Sequence, residues 1–378
     1  MAGLFLLTSL SRFGRMAQPA HQAATCNAAL AGRRGKPDRL HVAAVVCVRF
    51  MALLSAPLLN RISMHLEKRL QPTANFTRRD FIASAGLATV AALASAPRVS
   101  AASRPSRHIV VGGHPWVYAA TQPGYELTPV LPQIFADMKA AGLDGIELMH
   151  TALRPDDAVE RIGALAKQHQ LPIIGSSFGA AMWDRQQHAA IAEQAELVIP
   201  RLAKLGGCTL GLSVGALKGG AKVRKLPEHF DAQVEMLRRI FALCATHRVT
   251  PNLHNHTYEV ENDLHDLKGT LSRLPEARLG PDLNWLVRGG VEPAAFIRQY
   301  GSKIIFLHLR DQKKDGRWSE AIGEGDMDYP AITAALKEAR FQGDAVIELA
   351  HERDFKPTRP LRESFRMSRE FVRTSFGW

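Results

Sequence analysis

The chain is poor in cysteine, with four residues in 378, and Cys26 and Cys47 both fall in its first quarter. That leaves Cys208 and Cys244, too few for a disulfide framework or a cysteine-ligated zinc site, so both are expected as buried packing residues. Long apolar runs are missing as well. The nearest candidate, Ala83 to Ala96, is short and rich in Ala, Ser and Gly, which excludes a permanent membrane span. After the first strand-like segment, Val111-Gly112-Gly113-His114-Pro115 lacks the further glycines that a dinucleotide loop requires, which argues against a doubly wound nucleotide-binding sheet. Acid is scarce only at the start: residues 1–107 hold 15 Lys/Arg against 3 Asp/Glu, whereas the remainder holds 33 of each sign. The formal charge of +12 therefore belongs to the leader, and the balanced body gives no footing for nucleic-acid binding.

What the leader does contain is Thr77-Arg78-Arg79-Asp80-Phe81-Ile82, the acid-free run behind it, and small residues through Ser100-Ala101-Ala102. A twin arginine, a bland apolar stretch and an Ala-x-Ala ending look like a Tat export signal. We assign residues 64–102 to that signal, starting from Met64, and expect a periplasmic or otherwise exported protein that meets the Tat machinery transiently. Residues 1–63 show no consistent period and are expected to be a spurious or disordered extension.

From His108 the chain alternates strand-like and helix-like segments eight times. Strands are expected at 108–112, 143–149, 171–176, 208–213, 249–255, 278–282, 303–309 and 343–348; they are short and apolar, as strands covered on both faces should be. Helical patterns fall at 130–141, 156–169, 187–205, 228–247, 262–274, 292–299, 328–339 and 361–374. Alternation of this kind means a parallel sheet, and eight repeats in about 270 residues favour an α/β fold of the (β/α)8 TIM barrel type over residues 108–375. The long loops follow strands, where a barrel builds its catalytic face.

Four residues stand at the C-terminal ends of the later strands. His254, Asp282, His308 and Glu348 are separated by 28, 26 and 40 residues, the spacing of successive strand–helix units whose strand ends converge. Imidazole and carboxylate at converging strand ends suit a divalent ion. His256 shares a strand face with His254, and Glu147 lies within the buried-looking run Gly145-Ile146-Glu147-Leu148-Met149. His114 and Trp116, after the first strand, are candidate substrate contacts. Asp311 and Lys314 are placed to orient His308 or to meet substrate hydroxyls.

His254-Asn255-His256, Asp282 with Trp285, His308-Leu309-Arg310-Asp311, Gly323-Glu324-Gly325-Asp326-Met327-Asp328-Tyr329 and Val346-Ile347-Glu348 together resemble the sugar phosphate isomerase/epimerase family with its xylose-isomerase-like barrel. The resemblance implies one Mn, Co, Mg or Zn ion at the strand ends and proton transfer next to a carbonyl through an enediolate. By position, Asp282, His308 and Glu348 match the family's ligands, and Glu348 is the expected base. His254 falls where the epimerases carry a glutamate that is both ligand and base, so the carboxylate pair is lost unless Glu259 or Glu261 reaches in, and the partner acid is expected from His254, Glu147 or Glu259. Trp285 stands where many relatives have histidine, which suggests a stacking wall for a sugar ring. The expected activity is that of a metal-dependent sugar or polyol isomerase or epimerase. Alternatives are a dehydratase or lyase on a 3-keto-glycoside or inosose, a non-catalytic sugar-binding barrel and, last, an enzyme like endonuclease IV. The expected partner is a small sugar or keto-sugar, with a homo-oligomer possible.

Overall fold

A computed structural model describes residues 108–217 and 223–378. The expected extension and export signal lie outside the described residues. Seven strands form one all-parallel sheet: β1 (Val111–Gly113), β2 (Ile146–Met149), β3 (Ile173–Gly179), β4 (Thr209–Ser213), β5 (Thr250–Leu253), β6 (Phe306–Leu309) and β7 (Asp344–Ile347). Their order is β5-β4-β3-β2-β1-β7-β6. The eighth expected strand, 278–282, is present only as single bridges. Leu279 pairs with both Leu253 and Ile304, and Asp282 pairs with His308, which joins β6 back to β5 and all but closes the barrel. The cause is local. Pro281 has no N–H to give the ladder, and Gly280 lies so close to Asn252 that an added Cβ would sit 1.9 Å from its Oδ1.

Among the described residues a short helical turn, Trp116–Ala119, follows β1, and nine longer helices come after it: α1 (Leu131–Ala140), α2 (Ala158–His169), α3 (His188–Lys204), α4 (Pro227–Thr246), α5 (Thr257–Arg273), α6 (Leu283–Arg288), α7 (Pro293–Tyr300), α8 (Tyr329–Glu338) and α9 (Leu361–Phe376). Each covers the sheet through an apolar stripe. In α3, Ile191, Ala195, Val198, Ile199 and Leu202 recur at helical spacing and are buried, and each large one contributes ~1.5–3 kcal/mol by leaving water. Gly142 and Gly206 end α1 and α3 at φ +78° and +86°, a region that costs other residues strain. The sequence places the start of α5 at 262, but the chain turns helical at Thr257, breaks at Glu261 and restarts after Asn262, Asp263 and Leu264 in left-handed conformation. Glu259 causes the early start by accepting the backbone N–H of His256 at 2.7 Å. Cys244 is buried as expected, whereas Cys208, just before β4, is exposed because the chain is only then entering the sheet.

Strand alternation sorts side chains between the lumen and the helical shell. Leu307, Leu309, Ala345 and Ile347 join the core shared with the helices. Ile174, Phe306 and Val346 form a separate apolar plug inside the ring. Two residues further along the same strands, the inward positions are His308 and Glu348. The lumen therefore changes from apolar to ionisable toward the C-terminal ends of the strands.

Candidate active site

Ligand atoms of His254, Asp282 and His308 lie within 4.8 Å of one another, and all three residues are buried. The fourth candidate, Glu348, places Oε2 2.5 Å from His308 Nδ1. On the other edge of the His308 ring, Nε2 lies 3.1 Å from Glu147 Oε2. Glu147 is fully buried on β2 and acts from beneath the site, holding the imidazole with its Nδ1 edge toward Glu348. His254 Nδ1 is buried with no hydrogen-bond partner.

Arg310 lies two residues beyond His308 and so on the same strand face. Its Nε donates to Asp282 Oδ2 at 2.6 Å, and its terminal nitrogen pairs with Glu348 Oε1. In the sequence Arg310 stands only within the His308-Leu309-Arg310-Asp311 motif, and the two-residue step from His308 is the signal that places it in the site. Asp282 is also engaged through Oδ1, which caps α6 by accepting the N–H of Asn284 at 2.9 Å and of Trp285 at 3.1 Å. His114 reaches Glu348 Oε1 through Nδ1 at 3.2 Å.

These contacts set the protonation of the site. Burial would raise the Glu348 pKa, but Arg310 and His114 outweigh it and hold the carboxyl well below the usual range. Burial would lower that of His308, yet Glu147 and Glu348 push it up to about 10. His254 is held well below its ordinary value by burial and by the neighbouring His308, and His256 falls to about 4, by burial and then Arg310. Three carboxyl groups (Glu147, Asp282 and Glu348) gather around His308 and the Arg310 guanidinium, and burial raises the Asp282 pKa against the opposing pull of Arg310; an acid-rich donor set of this kind suits a cation. Without an ion, His308 takes up a proton instead, which a metal would displace. Donor set, unpaired His254 nitrogen and charge all fit an ion held by His254, Asp282, His308 and Glu348.

Above these groups opens a cavity of about 630 Å³, walled by His114, Trp116, His256, Trp285 and Glu348 of the expected set, with His254 and His308 at its base. Residues the sequence reading did not single out also line it: Arg310, Trp318, His150, Tyr258 and His351. Among the described residues Glu348 is its one acidic lining residue. Three expected members do not join. The Glu259 carboxylate accepts from Ser213 Oγ at 2.9 Å, Val214 N and His256 N, fixing the loop after β4; burial and Asp266 raise its pKa to about 8. Asp311 accepts the N–H groups of Gly323 at 2.8 Å and Gly325 at 2.9 Å and organises the loop before α8. Lys314 lines a separate groove with Arg298 and Asp326.

A family model described as "Xylose isomerase-like TIM barrel" matches residues 135–371. No curated protein matches the chain in sequence. Among solved structures, the 3-keto-D-glucoside 4-epimerase of E. coli superimposes with a TM-score of 0.57 at 18% identity, covering 71% of this chain and all of that one. The D-psicose 3-epimerase of Clostridium cellulolyticum H10 gives 0.57 at 16% identity over 71% of this chain and 99% of its own. The D-allulose 3-epimerase of a Methylomonas species gives 0.56 at 19% over 72% and 99%. At these identities the likeness establishes the fold.

Proposed function

Since the chain belongs to the xylose isomerase-like TIM barrel family, we propose that it is a sugar isomerase or epimerase that moves a proton on the carbon beside a carbonyl. The observation that carries this reading is Glu348, a carboxylate on the cavity wall kept ionised by Arg310 and His114 and set against the His254–Asp282–His308 cluster. The epimerase identity of the structural neighbours supports the same class.

A divalent ion on His254, Asp282, His308 and Glu348 would supply Lewis acidity to the carbonyl and adjacent hydroxyl oxygens of a bound sugar. The rest is done by the chain's own side chains. Glu348 takes the proton from the carbon between those oxygens, and Arg310 and His114, both on Oε1, fix the direction from which it acts. Arg310 adds positive charge beside the enediolate that forms. Glu147, from below, keeps the His308 ring oriented. Neutral His256, with Nδ1 3.1 Å from Ser213 Oγ, is within the cavity wall and placed to meet a substrate hydroxyl. Trp285 is the wall against which a sugar ring stacks.

One observation favours a second reading. Among the described residues Glu348 is the single acidic residue lining the cavity, and no second carboxylate of theirs stands across it to return a proton to the opposite face. A lone carboxylate base suits β-elimination, in which it takes the proton beside the carbonyl and passes it to the departing hydroxyl or alkoxide. Keto-sugars incubated with metal-loaded protein in D₂O, followed by NMR, test both readings. Deuterium at the carbon next to the carbonyl with a retained skeleton supports isomerase or epimerase chemistry, and loss of a substituent supports the lyase. No exchange across the panel refutes both.

A further inference from the structure

Three tryptophans line the cavity, Trp116, Trp285 and Trp318, more aromatic wall than one sugar ring stacked on Trp285 uses, and Tyr125 stands behind Trp116. Trp116 stacks on Tyr125, with ring centroids 5.4 Å apart. Trp285 meets Trp318 edge to face at 5.3 Å, and the Arg288 guanidinium lies 3.7 Å over the Trp318 ring and backs it as a fixed wall. Trp116 follows β1 and Trp285 follows the bridged segment between β5 and β6, three places away around the ring, so the pairs flank the opening from separate arcs. Tyr125 is held in place at a cost. Its φ is +58°, a conformation that bulky residues avoid, and the residue is 52% exposed. Strain retained at an exposed aromatic residue is an indication of use.

We propose that the outer half of this cavity is a second-ring subsite, and that the substrate is a keto-sugar joined to another ring, a second sugar or an aromatic aglycone. This rests on the proton-transfer reading above. The size agrees: at ~30 Å³ per water, 630 Å³ has room for ~20 waters, and one hexose ring displaces only a fraction of them. Flat aromatic walls are the surfaces on which sugar C–H faces and aryl rings stack. A chemical consequence follows. A ring attached at the anomeric carbon locks that carbon as an acetal, so the carbonyl must be a ketone on a ring carbon, and the shifted proton lies on its neighbour.

The test uses the full, metal-loaded protein and probes sharing one ketone: the methyl and phenyl β-glycosides of 3-keto-glucose, and 3-keto-cellobiose. Deuterium uptake from D₂O gives kcat/KM for each. The two-ring probes are expected to exceed the methyl glycoside at least ~10-fold, and Tyr125→Gly and Trp318→Ala to bring that ratio down toward one. Tyr125→Gly relieves the strained φ, so it serves even where Trp318→Ala misfolds. A wild-type ratio near one, or variants that lower all probes equally, overturns the subsite. Exchange with free keto-hexoses but with none of the glycosides overturns the subsite and leaves the reaction standing. Exchange with no sugar at all overturns both.

Discussion

Replacing Glu348 with glutamine is expected to separate its chemical role from its part in binding metal. Gln keeps the length of the side chain and an oxygen that still accepts from Arg310. It also turns an amide toward His308 Nδ1, where the carboxylate now lies at 2.5 Å. The imidazole then keeps its proton on Nε2, toward Glu147 at 3.1 Å, so the substitution leaves Nδ1 with a partner. Exchanging charge-assisted for neutral hydrogen bonds costs ~1–2 kcal/mol of stability, too little to unfold a domain of this size. Loss of the base is a larger effect. Turnover should fall ~10²–10⁴-fold, which at ~1.4 kcal/mol per decade is ~3–5.5 kcal/mol of barrier. The measurement is deuterium uptake by a substrate in D₂O at metal content verified by elemental analysis. A fully metal-loaded Glu348→Gln protein exchanging at the wild-type rate would refute the assignment and leave Glu348 a ligand only.

His254→Ala removes one of four ligand groups, so metal affinity should fall and a large excess of metal should restore part of the activity, read from activity against free metal. In chelator, stability should decline as pH rises. The folded pKa of His308 lies above that of a free imidazole, so its contribution is full below about 6.5 and is lost as pH climbs through about 10. Glu259 acts in the same sense between 4.5 and about 8; Glu259→Gln should flatten that lower part of the curve, measured as denaturant midpoint against pH. A chain begun at Ser103 should melt within a few degrees of the full chain, and failure to fold would show that the leader supports the barrel.

The site was most legible where strand periodicity is strict. Phe306 then His308, and Val346 then Glu348, are steps of two along lumen-facing positions, so an ionisable residue after an apolar one marks the level at which the barrel turns polar. Arg310 continues the same step, and the same signal reveals it. Beyond it the chain leaves the ladder and the period of two lapses. Asp311 therefore turns to the backbone of Gly323 and Gly325, and Lys314 to another groove. Glu259 was hidden by a different competition, since three residues after His256 a glutamate is needed to cap its own helix. Trp318 sits in a long loop with no periodic signal, and only tertiary contact brings it to Trp285. The bridged segment has the apolar pattern of a full strand in the sequence because Pro281 withholds an N–H from the ladder without interrupting that pattern.

That segment gives the barrel a seam. Between β5 and β6 the ring is joined through residues 278–281 without a full strand: Leu253 N to Arg278 O at 2.8 Å, Gly280 N to Leu253 O, Leu279 N to Lys303 O and Ile305 N to Leu279 O at 2.9 Å, and His308 N to Pro281 O at 3.0 Å. A joint of this kind is where a ring breathes first. His254 stands on one lip, His308 on the other, and Asp282 on the narrow strip between them. An ion shared by the three would act as a clasp, making occupancy of the site and closure of the ring a single equilibrium. The amides of Gly280 and Ile305 should then exchange with solvent faster than those of β3 or β4 in chelator, and slow selectively when metal is added. The chemistry of the mouth would in that way help to hold shut the wall on which it is built.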